Sequence, residues 1–169
     1  DFTEDQYMNA IDFLKGKIAD GFIRKVRGNS YSEDLVNGDA VAVIGWSGDM
    51  FILKSENEGK FDFAIPESGG MLWSDNMLIP STSTHKKNAE ALINYYYEPA
   101  VAAQVAAYVN YICPVEEAQP ELEKIDPALA SSPFIFPDEA TLAKVKVFRA
   151  LTSDEQTTFQ TAFDEAIGN

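Results

Sequence analysis

Apolar positions follow a helical period at both ends of this chain and read as strands in the stretches between 40 and 80. Tyr7, Ile11, Leu14 and Ile18 share one helical face, with Thr3 as N-cap, Gln6 three residues on and Gly21 at the stop. Ser32 is placed to cap a short helix through Leu35 and Val36 that ends at Gly38. The run 40–46 is nearly all apolar and rich in β-branched residues, which predicts a strand buried on both faces of a sheet covered by helices. Ser47-Gly48-Asp49 supplies a turn and a helix cap, so Trp46 stands at the carboxyl end of that strand, where open α/β sheets bind ligands.

A helix is expected over 49–58, a strand over 61–65 and, after Pro66 to Gly70 break the pattern, a strand-like run as far as Pro80. From Thr84 onward the texture is helical. Ala89, Leu92, Ile93 and Tyr96 lie on one face, and the next helix carries Val101, Val105 and Tyr108 with alanines that permit close packing. Residues 110–137 hold five of the eight prolines and read as loops, with short helical pieces around 116–122. Two helices close the chain, one over 138–151 and one starting at the Thr152 cap and carrying Phe159, Phe163 and Ile167.

Hydrophobic residues at 46% and charged residues at 24% are the balance of a folded soluble protein, and 169 residues can bury one sizeable core, or one full domain plus a piece of another. Thirteen basic against 27 acidic residues leave a charge of −14, which argues against nucleic acid as a partner and suits cationic ligands weakly. Cys113 is the sole cysteine and reads as a buried, inert thiol; His85, the sole histidine, reads as a surface residue. No ligand spacing suggests a metal, no glycine pattern suggests a cradle for phosphate, and no cofactor or enzymatic chemistry is expected.

The pair Trp73 and Asp75 stands out. In a strand, side chains two residues apart share a face, so an indole and a carboxylate would project together, a combination suited to an organic cation. The alternative is that Trp73 fills a core and Asp75 opens a turn.

The motifs Gly38-Asp39-Ala40-Val41-Ala42-Val43-Ile44-Gly45-Trp46-Ser47-Gly48, Phe63-Ala64-Ile65-Pro66-Glu67-Ser68-Gly69-Gly70 and Trp73-Ser74-Asp75-Asn76-Met77-Leu78-Ile79-Pro80, in this order, resemble the spermidine/putrescine-binding proteins of polyamine ABC importers. Asn110-Tyr111-x-x-Pro114-Val115 is similar to a later motif of that family. The resemblance implies an α/β fragment of the type II periplasmic-binding-protein fold, from the carboxyl-terminal part, with helices around a small mixed sheet and a helical carboxyl-terminal half. Residues 1–68 would be the remainder of the second lobe and 69–81 the crossover strand. Residues 82–169 would pack on a first-lobe remnant and return to the second lobe. The amino-terminal lobe would be missing.

By the same resemblance Trp46, Trp73 and Asp75 would hold the ligand, the indoles covering the methylenes from two sides and the carboxylate taking an amine. Ser47, Met71 and Asn76 would line the pocket. The implied partners are a polyamine and an importer permease, and the implied location is extracellular, periplasmic or at the cell surface, with a lipid anchor compatible with the full-length protein. The alternatives are a binder of another cationic or small organic solute on the same scaffold, and an enzyme or self-associating domain derived from it.

Overall fold

A computed structural model describes residues 2–168; Asp1 and Asn169, the outer limits of the expected 1–68 and 82–169 divisions, lie outside the described residues. In chain order the elements are α1 (Glu4–Ala19), α2 (Tyr31–Val36), α3 (Ser47–Glu56), β1 (Gly70–Leu72), α4 (Lys86–Tyr96), α5 (Pro99–Val109), α6 (Gln119–Ile125), α7 (Pro127–Ala130), α8 (Glu139–Leu142), β2 (Val145–Val147) and α9 (Ser153–Ile167), with a 3-10 turn at Glu116–Ala118. Among the described residues, 2–44 with 148–168 form one compact unit and Gly45–Val147 the other. The chain is helix-rich with a small sheet, the fold class expected from the sequence; among the described residues that sheet has two parallel strands rather than a mixed set.

In the first unit α1 packs on α9. Each helix opens with a reciprocal capping box, Thr3 with Gln6 and Thr152 with Glu155, so four otherwise unpaired backbone donors are satisfied where the sequence signalled it. Tyr7 stacks on Phe159 with ring centroids 4.0 Å apart, and its hydroxyl donates to the Phe159 carbonyl at 3.2 Å. Arg149 lies over the Phe2 ring, 4.5 Å from its centroid, and donates to both carboxylate oxygens of Glu155 at 2.8 and 3.2 Å. That fork, with the backbone N–H of Thr152, holds the Glu155 carboxyl down to about 2.

Two expectations in this region change. The N-cap of α2 is Ser30 rather than Ser32, whose hydroxyl instead turns back on the Asn29 carbonyl. The run 40–46 forms no ladder: Val41 and Ile44 are fully exposed, because no neighbouring strand among the described residues pairs with them. Apolar, β-branched character favours a strand but cannot make one without a partner.

In the second unit β1 and β2 pair in parallel, with Gly70 opposite Val145, Met71 opposite Lys146 and Leu72 opposite Val147. The expected strand-like run to Pro80 therefore narrows to three residues of ladder. Gly69 sits at φ 99°, and a Cβ there would meet the Lys144 carbonyl at 2.8 Å, so glycine is needed for the approach. β2 replaces the last part of the expected 138–151 helix, which stops at Leu142. Val145 and Val147 flank Lys146, and β-branched side chains suit a pleat better than a helical turn.

The core of this unit lies where the proline count suggested loops. Ala102, Ala103 and Ala106 of α5 meet Cys113, Val115, Ala118, Leu122, Ala130 and Ile135, and Leu122 and Ile135 are wholly buried. Pro120 and Pro127 sit in the first turns of α6 and α7, where the missing N–H costs nothing, so they start helices rather than break one. Residues 61–65 keep a strand-like burial alternation without a ladder, and Phe63 meets Phe134 edge to face at 5.1 Å. Leu92 and Tyr108, expected on packed helix faces, are exposed.

Candidate functional site

Trp46 is the N-cap residue of α3, its backbone still extended at φ −83° and ψ 138°. The strand-to-helix turn expected from Ser47-Gly48-Asp49 therefore forms, although the strand before it does not pair. Trp73 follows β1 directly, and Tyr111 follows Asn110, whose left-handed φ of 59° ends α5. These three chain turns bring three rings together. Trp46 and Trp73 meet edge to face, centroids 5.3 Å apart and planes 71° apart, and Trp73 meets Tyr111 at 6.1 Å and 65°. Such T-shaped pairs set a ring's positive edge against its neighbour's negative face.

The rings are held without being covered: Trp46 keeps 44% of its surface exposed and Trp73 40%. Because the indoles touch each other, they form one wall rather than two sides with a gap between them.

Asp49, in the first turn of α3, accepts a hydrogen bond from the Tyr111 hydroxyl at 3.2 Å. A carboxylate there is favoured by the amino-terminal end of the helix dipole. Burial first, and then the neighbouring Asp49 charge, push the Tyr111 phenol up to about 12, so it is a neutral donor at any ordinary pH. Gly48 is buried, and a side chain on it would run into the Tyr111 ring.

Ser47 opens α3 half-buried, Met71 is in β1 and half-exposed, and Asp75 and Asn76 are exposed beyond the end of β1. The ladder that would have placed Trp73 and Asp75 on one face stops at Leu72, so their shared projection does not follow from strand pairing. Among the described residues no cationic side chain pairs with Asp75 or lies over Trp73 or Tyr111.

Asp49 and Tyr111 were missed as site residues by sequence reasoning. Asp49 read as a helix cap. Tyr111 was visible only as part of a motif, and the Trp46-x-x-Asp49 spacing across a strand-to-helix turn is the signal that could have raised the carboxylate. Cys113 is buried, which pushes its thiol up and keeps it protonated, and His85 is exposed at the start of α4.

Comparison with known proteins identifies the family of the chain. Residues 3–133 match the bacterial extracellular solute-binding protein family. The putrescine/agmatine-binding protein of Pseudomonas aeruginosa is 28% identical over 127 residues, 72% of this chain and 34% of that protein. The spermidine/putrescine-binding periplasmic protein of Escherichia coli is 31% identical over 114 residues, 68% of this chain and 30% of that protein. A solved structure described as a spermidine/putrescine ABC transporter of Listeria monocytogenes matches with a TM-score of 0.77 at 29% identity, covering 93% of this chain and 47% of that one.

The chain thus spans about a third of the length of these curated relatives and about half of the solved one. The matched segment takes in α1 to α7 and every residue of the aromatic wall. With more than half of its length inside the match, this chain belongs to the family of bacterial extracellular solute-binding proteins.

Proposed function

We propose that this chain is the carboxyl-terminal part of the polyamine-binding component of an ABC importer, taking putrescine- or spermidine-like cations and presenting them to a permease outside the cytoplasm. The observation that carries this reading is the half-exposed wall of Trp46, Trp73 and Tyr111 beside the Asp49 carboxylate, with the unpaired Asp75 two residues past Trp73. A polyamine alternates protonated nitrogens with apolar methylenes. Indole and phenol faces cover the methylenes and attract the adjoining charge, while carboxylates accept hydrogen bonds from the ammonium groups.

The contact between the two indoles supports a ligand lying along the wall rather than threaded between the rings. Asp75 is the carboxylate that would take its nitrogen, Asp49 stands beside the wall holding Tyr111, and Ser47, Met71 and Asn76 border the path. No bond is made or broken; binding, orientation and exclusion of water are the whole of the chemistry. The names of the relatives, which bind putrescine, agmatine or spermidine, support this ligand class. The assignment of 1–68 to a second lobe, 69–81 to a crossover and 82–169 to the returning helices belongs to the same proposal, as does a permease that reads the loaded form.

Tryptophan emission of the intact protein should change saturably with putrescine and spermidine and stay unchanged with a neutral diol of equal length. An equal response to the diol would exclude charge recognition, and no response to any of them would exclude a polyamine ligand.

A further inference from the structure

Gly48 lies buried in the first turn of α3, and a Cβ built on it would fall 2.6 and 2.7 Å from Cζ and Cδ2 of Tyr111, with Cε2 in contact as well. Glycine weakens a helix, and the backbone here is not left-handed, so neither propensity nor φ explains it. Space does. We propose that the absent side chain of Gly48 is a positioning feature of the site: it is the seat that receives the Tyr111 ring, and so places the third ring of the wall against Trp73 and the phenol on Asp49.

The physical chain is short. Tyr111 lies 62 residues from Asp49 in sequence, yet its ring, its hydroxyl and the adjoining Trp73 ring are all fixed from one turn of α3 and its N-cap neighbour. A methyl group at position 48 has nowhere to go, because the atoms it meets belong to a ring whose hydroxyl is tethered to the next residue. The ring must leave. Asp49 then loses a neutral donor, and the wall loses the face that continues Trp73. The ligand consequence rests on the polyamine reading, but the seat itself is testable without ligand.

Trp46 and Trp73 are the only two tryptophans of this 169-residue sequence, so its emission reports this wall. Native chain, Gly48→Ala, Tyr111→Ala and the double variant form a cycle. The proposal expects Gly48→Ala to shift the emission to the red in the native background and to add nothing in the Tyr111→Ala background, where the seat is already empty. In the intact protein Gly48→Ala should also weaken putrescine binding about tenfold, a change of the size one displaced contact produces.

Equal shifts in both backgrounds, or no shift in either, would overturn the seat. Should Gly48→Ala alone fail to fold, the double variant must fold and match Tyr111→Ala; its failure too would make Gly48 a general structural requirement and end the proposal. If the native protein binds no putrescine, the ligand reading falls while the emission cycle still decides the seat.

Discussion

Each unit of this molecule holds an aromatic cluster with a carboxylate at its edge, and the two are finished differently. In the first, Phe2, Tyr7 and Phe159 are completed by Arg149, whose guanidinium lies over Phe2 and is forked onto Glu155. In the second, Trp46, Trp73 and Tyr111 adjoin Asp49, whose bond from Tyr111 comes from a neutral phenol, and among the described residues no lysine or arginine covers Trp73 or Tyr111 or pairs with Asp75. Rings, carboxylate and cation all come from the chain in the first case, which makes a structural joint. The rings of Trp73 and Tyr111 and the carboxylate of Asp75 have no such cation among the described residues, which is the feature the proposed ligand would complete.

Removing one ring from each cluster should have opposite consequences. Phe159 is nearly fully buried, so Phe159→Ala should cost about 4 kcal/mol of stability and leave ligand binding by the surviving folded fraction unchanged. Urea melts would read it, and a loss well under 1 kcal/mol would show that the joint between α1 and α9 is not structural. Trp73→Ala should do the reverse. With 40% of the ring exposed, its removal should cost the intact protein about 2 kcal/mol in putrescine affinity and distinctly less in stability.

The carboxylates sharpen the contrast through pH. Glu155 titrates near 2 in the folded chain against an ordinary 4.5, so an unfolding chain takes up its proton first. Its contribution is fully present above about 4.5 and is lost as pH falls toward about 2. Urea midpoints should decline across that window, and Glu155→Gln should flatten this part of the decline; an unchanged slope would mean that the fork with Arg149 does not form in solution.

The smallest effect is spectroscopic. Tyr111 is raised from 10.0 to about 12, so its contribution is complete below 10 and lost as pH rises through about 12. Tyrosinate absorbance should show a phenol titrating near that upper value. Asp49→Asn should lower it only part of the way, because burial is the larger cause. A full return to 10 would make the charge of Asp49 dominant instead.

The clusters' helical frames were legible where the signals are local: Thr3 with Gln6 and Thr152 with Glu155 are three residues apart, and both boxes form. The turn from Trp46 into α3 was legible for the same reason. Composition alone suggests strands at 40–46 and 61–65, and composition does not supply a partner strand. β2 was hidden because Val145 to Val147 is a strand only when Gly69 and Gly70 come alongside it. The core from Cys113 to Ile135 was hidden by its prolines, which read as breaks and serve as helix starts.

At the site, the motif order singled out Trp46 and Trp73, and folding brings those rings together. Tyr111 and Asp49 were not legible as a pair, since nothing in either local sequence indicates that the residue after α5 will dock on the first turn of α3.

Asp75 has no cationic partner within the described chain, so calorimetry of spermidine binding to the intact protein, native against Asp75→Ala, decides whether it waits for a ligand's amine. Binding should be saturable, and Asp75→Ala should weaken it by about 2 kcal/mol, roughly thirtyfold. Unchanged affinity in Asp75→Ala, or the absence of binding in the native protein, would contradict that role for Asp75.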